Sequence, residues 1–180
     1  ELALTKRLMA SLNNISTLLI SSELGSFDER LSRTLAVIAS ALDIDAVSIW
    51  QIDYDDDNER YSVMLYQWLD SGMPKNTSTV RLIKKVYREE YERWFESMCK
   101  NKPFSIGIDT SKVDKEFLEQ QGLFSLYSLP IHIDGTLWGY LELGDAKELS
   151  VFNEQQVSLL KMYAQLITLS IRERMKLKEK

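Results

Sequence analysis

The sequence predicts a mixed α/β domain of the α+β kind, and three observations predict it. Apolar residues recur at helical spacing through the first 42 residues and again over 153–178. Between 46 and 69 an extended pattern replaces that spacing. Asp134-Gly135 then separates two apolar stretches in the way a tight hairpin turn does. The 180 residues amount to little more than one domain at ~150 residues each. A chain of that size buries roughly 70% of its unfolded surface, so its core needs no covalent staple.

Residues 1–22 read as a helix, because Leu4, Leu8, Leu12, Ile15 and Leu19 form one stripe. Gly25 ends that run, and Ser26 with Glu29 three residues later makes a capping box for a second helix ending near Asp43. Residues 46–52 read as a strand buried on both faces, and Asp53 to Glu59 as an acidic turn. Residues 61–69 return as an antiparallel strand. The segment 80–86 suits a strand or a helix equally, whereas Tyr87, Tyr91, Trp94 and Met98 share one helix face. Pro103 stops that helix, Phe104 to Ile108 reads as a short strand, and Ser111 with Asp114 caps another helix whose C′ residue is Gly122.

The clearest hairpin joins 123–133 to 136–143, since Asp134-Gly135 suits a type I′ turn. An unbroken register pairs Ile133 with Thr136, Ile131 with Trp138, Leu129 with Tyr140 and Tyr127 with Glu142; a bulge at Pro130 would shift the distant pairs. Asn153 with Gln156 caps the last helix. That helix is apolar on two faces, so two surfaces must cover it.

Composition excludes several functions. Lys and Arg number 22 against 27 Asp and Glu, a net charge of −5, which lacks the basic footprint of a nucleic-acid binder. One cysteine forbids an internal disulfide and a cysteine-cluster zinc site. A lone histidine, His132, reads as a solvent-facing rim residue rather than a ligand. No apolar run approaches a membrane span, and no signal peptide is visible. The acidic stretch 53–59 lacks the glycine and distal glutamate of a calcium loop. No residue set suggests catalysis or a cofactor, so a cytoplasmic non-enzyme is expected. The aromatic residues are more informative: Trp50, Tyr66, Trp68, Trp94, Trp138 and Tyr140 recur on strands and one helix, and aromatic walls with few polar groups characterise ligand pockets. Alternation puts Ser48 with Trp50, and Glu142 with Tyr140 and Trp138.

Ser48-Ile49-Trp50-Gln51, Tyr66-Gln67-Trp68-Leu69, Leu129-Pro130-Ile131 and Asp134-Gly135-Thr136-Leu137-Trp138-Gly139-Tyr140 occur in an order that resembles the GAF domain. Glu92-Arg93-Trp94-Phe95, Lys102-Pro103-Phe104 and Phe152 fit the same pattern, which is most similar to GAF domains upstream of bacterial histidine kinases and diguanylate cyclases. The resemblance implies a three-layer sandwich around a six-stranded, mostly antiparallel sheet. Terminal helices would cover one face, and short helices and loops would roof a ligand pocket on the other. It further implies a signalling helix over 1–25, the GAF domain over 26–171 and a helical linker over 172–180 leading to an output domain. Members that bind cyclic nucleotides carry an Asn-Lys pair and a Phe followed by Asp-Glu; here Gly144-Asp145 and Gln156-Val157 stand instead. Bilin-binding members use a cysteine, often beside a histidine, but Cys99 precedes Lys100 and reads as a buried structural thiol.

The expected function is therefore a small-molecule-sensing regulatory domain. The alternative is a ligandless relay whose pocket its own aromatics fill. The expected ligand site is Ser48, Trp50, Tyr66, Trp68, Trp94, Tyr140 and Glu142, the resemblance choosing this face over the Gly139 face. Glu142 would meet a cationic ligand or else an internal donor, and anions would need a Lys or Arg from 80–88 to close over them. Expected partners are an unidentified small molecule and a second copy, through 1–22 and 153–178, with Leu8 and Ile15 in that interface. Neither nucleic-acid binding nor membrane insertion is expected. Gly139 is expected to admit a helix, so that Gly139→Val weakens dimerisation or output without unfolding the chain.

Overall fold

The computed structural model describes residues 2–75, 80–82, 88–107 and 111–180. Its elements follow the expected order: α1 (Leu2–Ile20), α2 (Phe27–Leu42), β1 (Ala46–Tyr54), β2 (Arg60–Leu69), β3 (Val80–Leu82), α3 (Arg88–Cys99), β4 (Phe104–Gly107), α4 (Lys112–Gln121), β5 (Ser125–Ile133), β6 (Thr136–Asp145) and α5 (Glu154–Lys178). The ambiguous segment begins as a strand at Val80–Leu82, while 83–87 and 108–110, with the expectations for Tyr87 and Ile108, lie outside the described residues. Two compact units emerge, Glu1–Asp43 with Val151–Lys180, and Ile44–Ser150.

The helical unit comprises α1, α2 and α5, with α1 packed along the other two. Both expected capping boxes form: Ser26 accepts from the Glu29 N–H, Asn153 from the Gln156 N–H, and each N3 side chain reciprocates. Arg30 terminates α1, donating from Nη1 to the Leu18 and Leu19 carbonyls and from Nε to Gly25 O. It thereby satisfies carbonyls that a helix C-terminus leaves orphaned. Tyr163 on α5 meets Ser11 and the Leu8 carbonyl of α1. Leu8 and Ile15 are fully buried. They are core residues, and placing them in a dimer interface requires correction: a glutamate at either would unfold the unit rather than dissociate a dimer.

The second unit is a six-stranded sheet in the order β3-β2-β1-β6-β5-β4, every pair antiparallel. The hairpin turn forms as expected, with positive φ at Asp134 (52°) and Gly135 (80°). Ile133 pairs with Thr136, but the register then shifts: His132 faces Leu137 and Ile131 faces Gly139, leaving Trp138 as the extra residue. Beyond that bulge Leu129 pairs with Leu141 and Ser128 with Glu142, not Tyr140 and Tyr127 as an unbroken register predicts. His132, beside the bulge, is half-buried, with Nδ1 buried and without a hydrogen-bond partner, so it is not a solvent-facing rim residue.

A second bulge divides β1 from β2. Ile49 pairs with Tyr66 but Trp50 with Met64, so Leu65 is extra. A one-residue slip exchanges the faces of a strand. Arg60, Ser62 and Met64 therefore share a face with Ile52 and Trp50, whereas Tyr66 and Trp68 share the opposite face with Ile49 and Val47. Gly139, at the last β1–β6 pair, faces Gln51. A Cβ built there would lie 2.0 Å from the Trp50 carbonyl oxygen. The missing side chain admits the neighbouring strand, which corrects the expected role in admitting a helix.

Candidate functional site

The face carrying Ser48, Trp50, Tyr140 and Glu142 forms the floor of a cavity within the sheet unit, of about 60 Å³. Ile52, Arg60, Ser62, Arg81, Leu126, Ser128, Tyr140 and Glu142 line it from the strands, together with Phe104 and Ile106 of β4. Tyr91 and Trp94 of α3 and Val113, Asp114 and Phe117 of α4 complete the lining. The α4 wall is held by its caps: Ser111 Oγ accepts from the Asp114 N–H, and Gly122 closes the helix in the left-handed region.

Three of the expected site residues, Trp94, Tyr140 and Glu142, line the cavity. Trp50 lies behind the lining, its ring parallel to Tyr140 with centroids 6.2 Å apart. Its indole N–H donates to Ser48 Oγ at 2.8 Å, which places Ser48 in a supporting position. Trp94 meets Tyr140 edge to face at 4.7 Å. Tyr66 and Trp68 are not brought to the site; the Leu65 bulge puts them on the other face, so their assignment to this wall is corrected.

Glu142, nearly fully buried, finds an internal donor. Arg81 grips its carboxylate in a bidentate pair at 2.5 and 2.8 Å. The same guanidinium stands 3.8 Å from the Trp50 ring centroid and 5.0 Å from that of Phe117, with Nη1 3.4 Å from Tyr140 Oη. Burial opposes the Arg81 charge, but Glu142 and Tyr140 outweigh it and hold the side chain firmly protonated. Arg60 repeats the pattern at the β2 end, paired with Glu92 at 2.5 Å and lying 3.3 Å over the Phe95 ring.

Burial pushes the Tyr140 hydroxyl up to about 12, Arg81 and its hydrogen bonds with Ser62 and Arg81 pulling down and Glu142 pushing up. Above pH 10 an unfolded tyrosine ionises while the folded one keeps its proton, so rising pH favours unfolding. Tyr140 alone is expected to remove about 2 kcal/mol of stability by pH 12. Urea midpoints measured from pH 9 to 11.5 should fall more steeply in the native chain than in Tyr140→Phe.

The sequence did not single out Arg60, Arg81 or Phe117 as site residues, and it gave Asp114 only a capping role. The one signal was the segment 80–88, named as the source of a Lys or Arg that would close over an anionic ligand; Arg81 belongs to it and closes on Glu142 instead. Cys99, the last residue of α3, is exposed and does not line the cavity, which corrects the expectation of a buried thiol; the partial desolvation it does have raises its thiol pKa. Asp45 and Asp145, both buried, spend their carboxylates on backbone N–H groups of 146–148 and serve the loop after β6. Among the described residues no three His, Cys, Asp or Glu converge as a metal site, and no helix is long and apolar enough to cross a membrane.

The family model of the GAF domain matches residues 26–171. The methanogenesis regulatory histidine kinase FilI of Methanothrix harundinacea is 21% identical over 139 residues, which are 76% of this chain and 16% of that protein. The chain thus spans about a sixth of that relative. Among solved structures, the phycocyanobilin-bound GAF domain of a cyanobacterial phytochrome superposes with a TM-score of 0.70 at 16% identity, covering 92% of this chain and 94% of that one. A phycoerythrobilin-bound counterpart gives 0.71 at 15% identity, with 93% and 95% covered. The chromophore-binding domain of a Stigmatella aurantiaca bacteriophytochrome gives 0.66 at 13% identity, with 91% and 59% covered. At these identities the likeness is one of fold.

Proposed function

We propose that this chain, which belongs to the GAF domain family, senses a small molecule in the cavity of its sheet unit and reports occupancy to an output domain through dimerising terminal helices. The cavity carries the reading: an aromatic wall surrounds a few convergent polar groups, the composition that ligand sites have. A ligand shifts an output only by binding two arrangements with different affinity. The β5–β6 hairpin is the proposed coupler, because Ser128, Tyr140 and Glu142 line the cavity. On this reading residues 1–25 lead in, 172–180 lead out, and the output is a histidine kinase or diguanylate cyclase of a cytoplasmic bacterial signalling protein. Cys99 offers no anchor at the cavity, so the ligand is held without a covalent bond.

The test is a thermal-shift panel of metabolites, with mass spectrometry of small molecules released from the purified protein. At least one compound should raise the melting temperature, and Trp94→Ala should abolish that rise. One observation favours the relay reading, in which no ligand binds: the Arg81 guanidinium itself occupies the space between Trp50 and Phe117. A silent panel with nothing co-purifying would establish that reading.

A homodimer through α1 and α5 is part of the proposal. These helices expose Met9, Met162 and Leu169, each about half accessible, along a groove they share with Leu12, Leu159 and Leu166. Covering a large apolar side chain contributes ~1.5–3 kcal/mol, and a second copy offers a matching face. Met162→Glu with Leu169→Glu should yield folded monomers by sedimentation at tens of micromolar. A native chain sedimenting as a monomer would remove the dimer.

A further inference from the structure

The charges and unpartnered atoms around the cavity point to the class of ligand. Among the described residues four buried side-chain nitrogen or oxygen atoms lack a hydrogen-bond partner, and three belong to residues lining this cavity: Arg60 Nε, Arg81 Nε and Asp114 Oδ2. A buried polar group left unpaired is costly and rare, so three at one cavity mark positions that another molecule satisfies. Two are donors and the third is an acceptor. Asp114 is more than nine-tenths buried, and the half-exposed Arg93 stands 3.6 Å from its Oδ2, too far for a hydrogen bond.

The charges close the argument. Arg60 and Arg81 balance Asp114 and Glu142 among the lining residues, and the outer partners Glu92 and Arg93 balance each other. A net charge entering this space would find no unbalanced counter-ion among the described residues and would forfeit its hydration. The cavity, about 60 Å³, is also smaller than the ~150 Å³ that holds a benzene ring. It accepts a small polar head.

Resting on the sensing reading above, we infer that the cavity takes a polar head with no net charge, carrying both an acceptor and N–H donors. A primary amide or a zwitterionic amino-acid head has this chemistry. Its carbonyl or carboxylate oxygen accepts from the arginine Nε–H groups, and its N–H groups donate to Asp114 Oδ2. The balance of charge among the described lining residues disfavours phosphates and simple amines alike.

The test uses the whole chain labelled with ¹⁵N at tryptophan and follows the Trp94 indole signal through titrations with three sets of probes. Acetamide and glycine carry no net charge, acetate and inorganic phosphate are anions, and ethylammonium and guanidinium are cations. Acetamide or glycine should bind at least tenfold more tightly than any charged probe. Asp114→Asn, which keeps the backbone bond to Ser111, should weaken that binding at least tenfold and admit acetate through the positive charge left behind. The wild-type series decides the matter even if that variant fails to fold. A charged probe binding as tightly as acetamide would overturn the class and leave sensing intact, as would silence in all three sets while a panel metabolite still raises the melting temperature. Silence in both experiments would overturn both proposals.

Discussion

Gly139→Val is expected to lower the melting temperature by roughly 6–12 °C, the equivalent of about 3 kcal/mol in a chain of this size. The first added carbon would meet the Trp50 carbonyl oxygen at 2.0 Å, the Trp50 carbonyl carbon at 3.0 Å and Gln51 Cα at 3.1 Å. All three are backbone atoms of β1, so no rotamer change relieves the contact. Relief requires β1 and β6 to separate where Trp50 pairs with Tyr140 and Gln51 with Gly139. Those strands also hold the stacked rings behind the cavity, so the substitution should loosen the site together with the fold. Circular dichroism melts decide it, with Gly72→Ala as the control. A Cβ at Gly72 meets only an Asp70 carboxylate oxygen, at 3.6 Å, so that melt should hardly move. An unchanged Gly139→Val melt would mean that β1 does not press on this position.

The fold was legible where the signal was local. Ser26 with Glu29, Asn153 with Gln156, Ser111 with Asp114, and Asp134-Gly135 are each satisfied within a few residues of chain. The two bulges were not legible. Leu65 and Trp138 are ordinary strand residues by type, and what makes each of them extra is the pairing of two strands. The consequence was large for the site, because each slip exchanges faces. Tyr66 and Trp68 left the expected wall, while Arg60 and Ser62 entered it.

Burial was misread for a related reason. The α1 stripe identifies Leu8 and Ile15 as apolar, but periodicity alone does not say whether a stripe meets its own unit or a second copy. Their complete burial, against the exposure of Met9 and Leu169, separates the two cases. Arg81 shows the opposite limit. A buried carboxylate at Glu142 needs a donor, and that much followed from the strand pattern. The choice of Arg81 follows from β3 pairing with β2 at the sheet edge, Ser62 facing Arg81, which a three-residue strand scarcely announces in sequence.

Glu142→Gln is expected to cost about 3 kcal/mol. The amide keeps one acceptor for Arg81 but removes the charge that compensates a largely buried guanidinium. Breaking a buried pair from one side costs about 3–5 kcal/mol, and the residual exposure of Arg81 places this pair at the low end. Arg81 does not escape by losing its proton. Its pKa stands above the ordinary arginine value, so its charged form is held throughout the range in which the protein is handled. A raised folded-state pKa contributes stability below the unfolded value and loses it only as pH climbs through the folded one. The loss in Glu142→Gln should therefore be the same at pH 7 and pH 9, unlike the alkaline slope from Tyr140. Arg81→Met with Glu142→Gln removes both ends, and the methionine can still lie against Trp50. That double variant should recover most of the loss, giving a coupling of about 2 kcal/mol in a cycle of urea midpoints with unchanged slopes. A single Glu142→Gln variant as stable as the native chain would show that Arg81 does not depend on this carboxylate, leaving Glu142 free to meet a ligand.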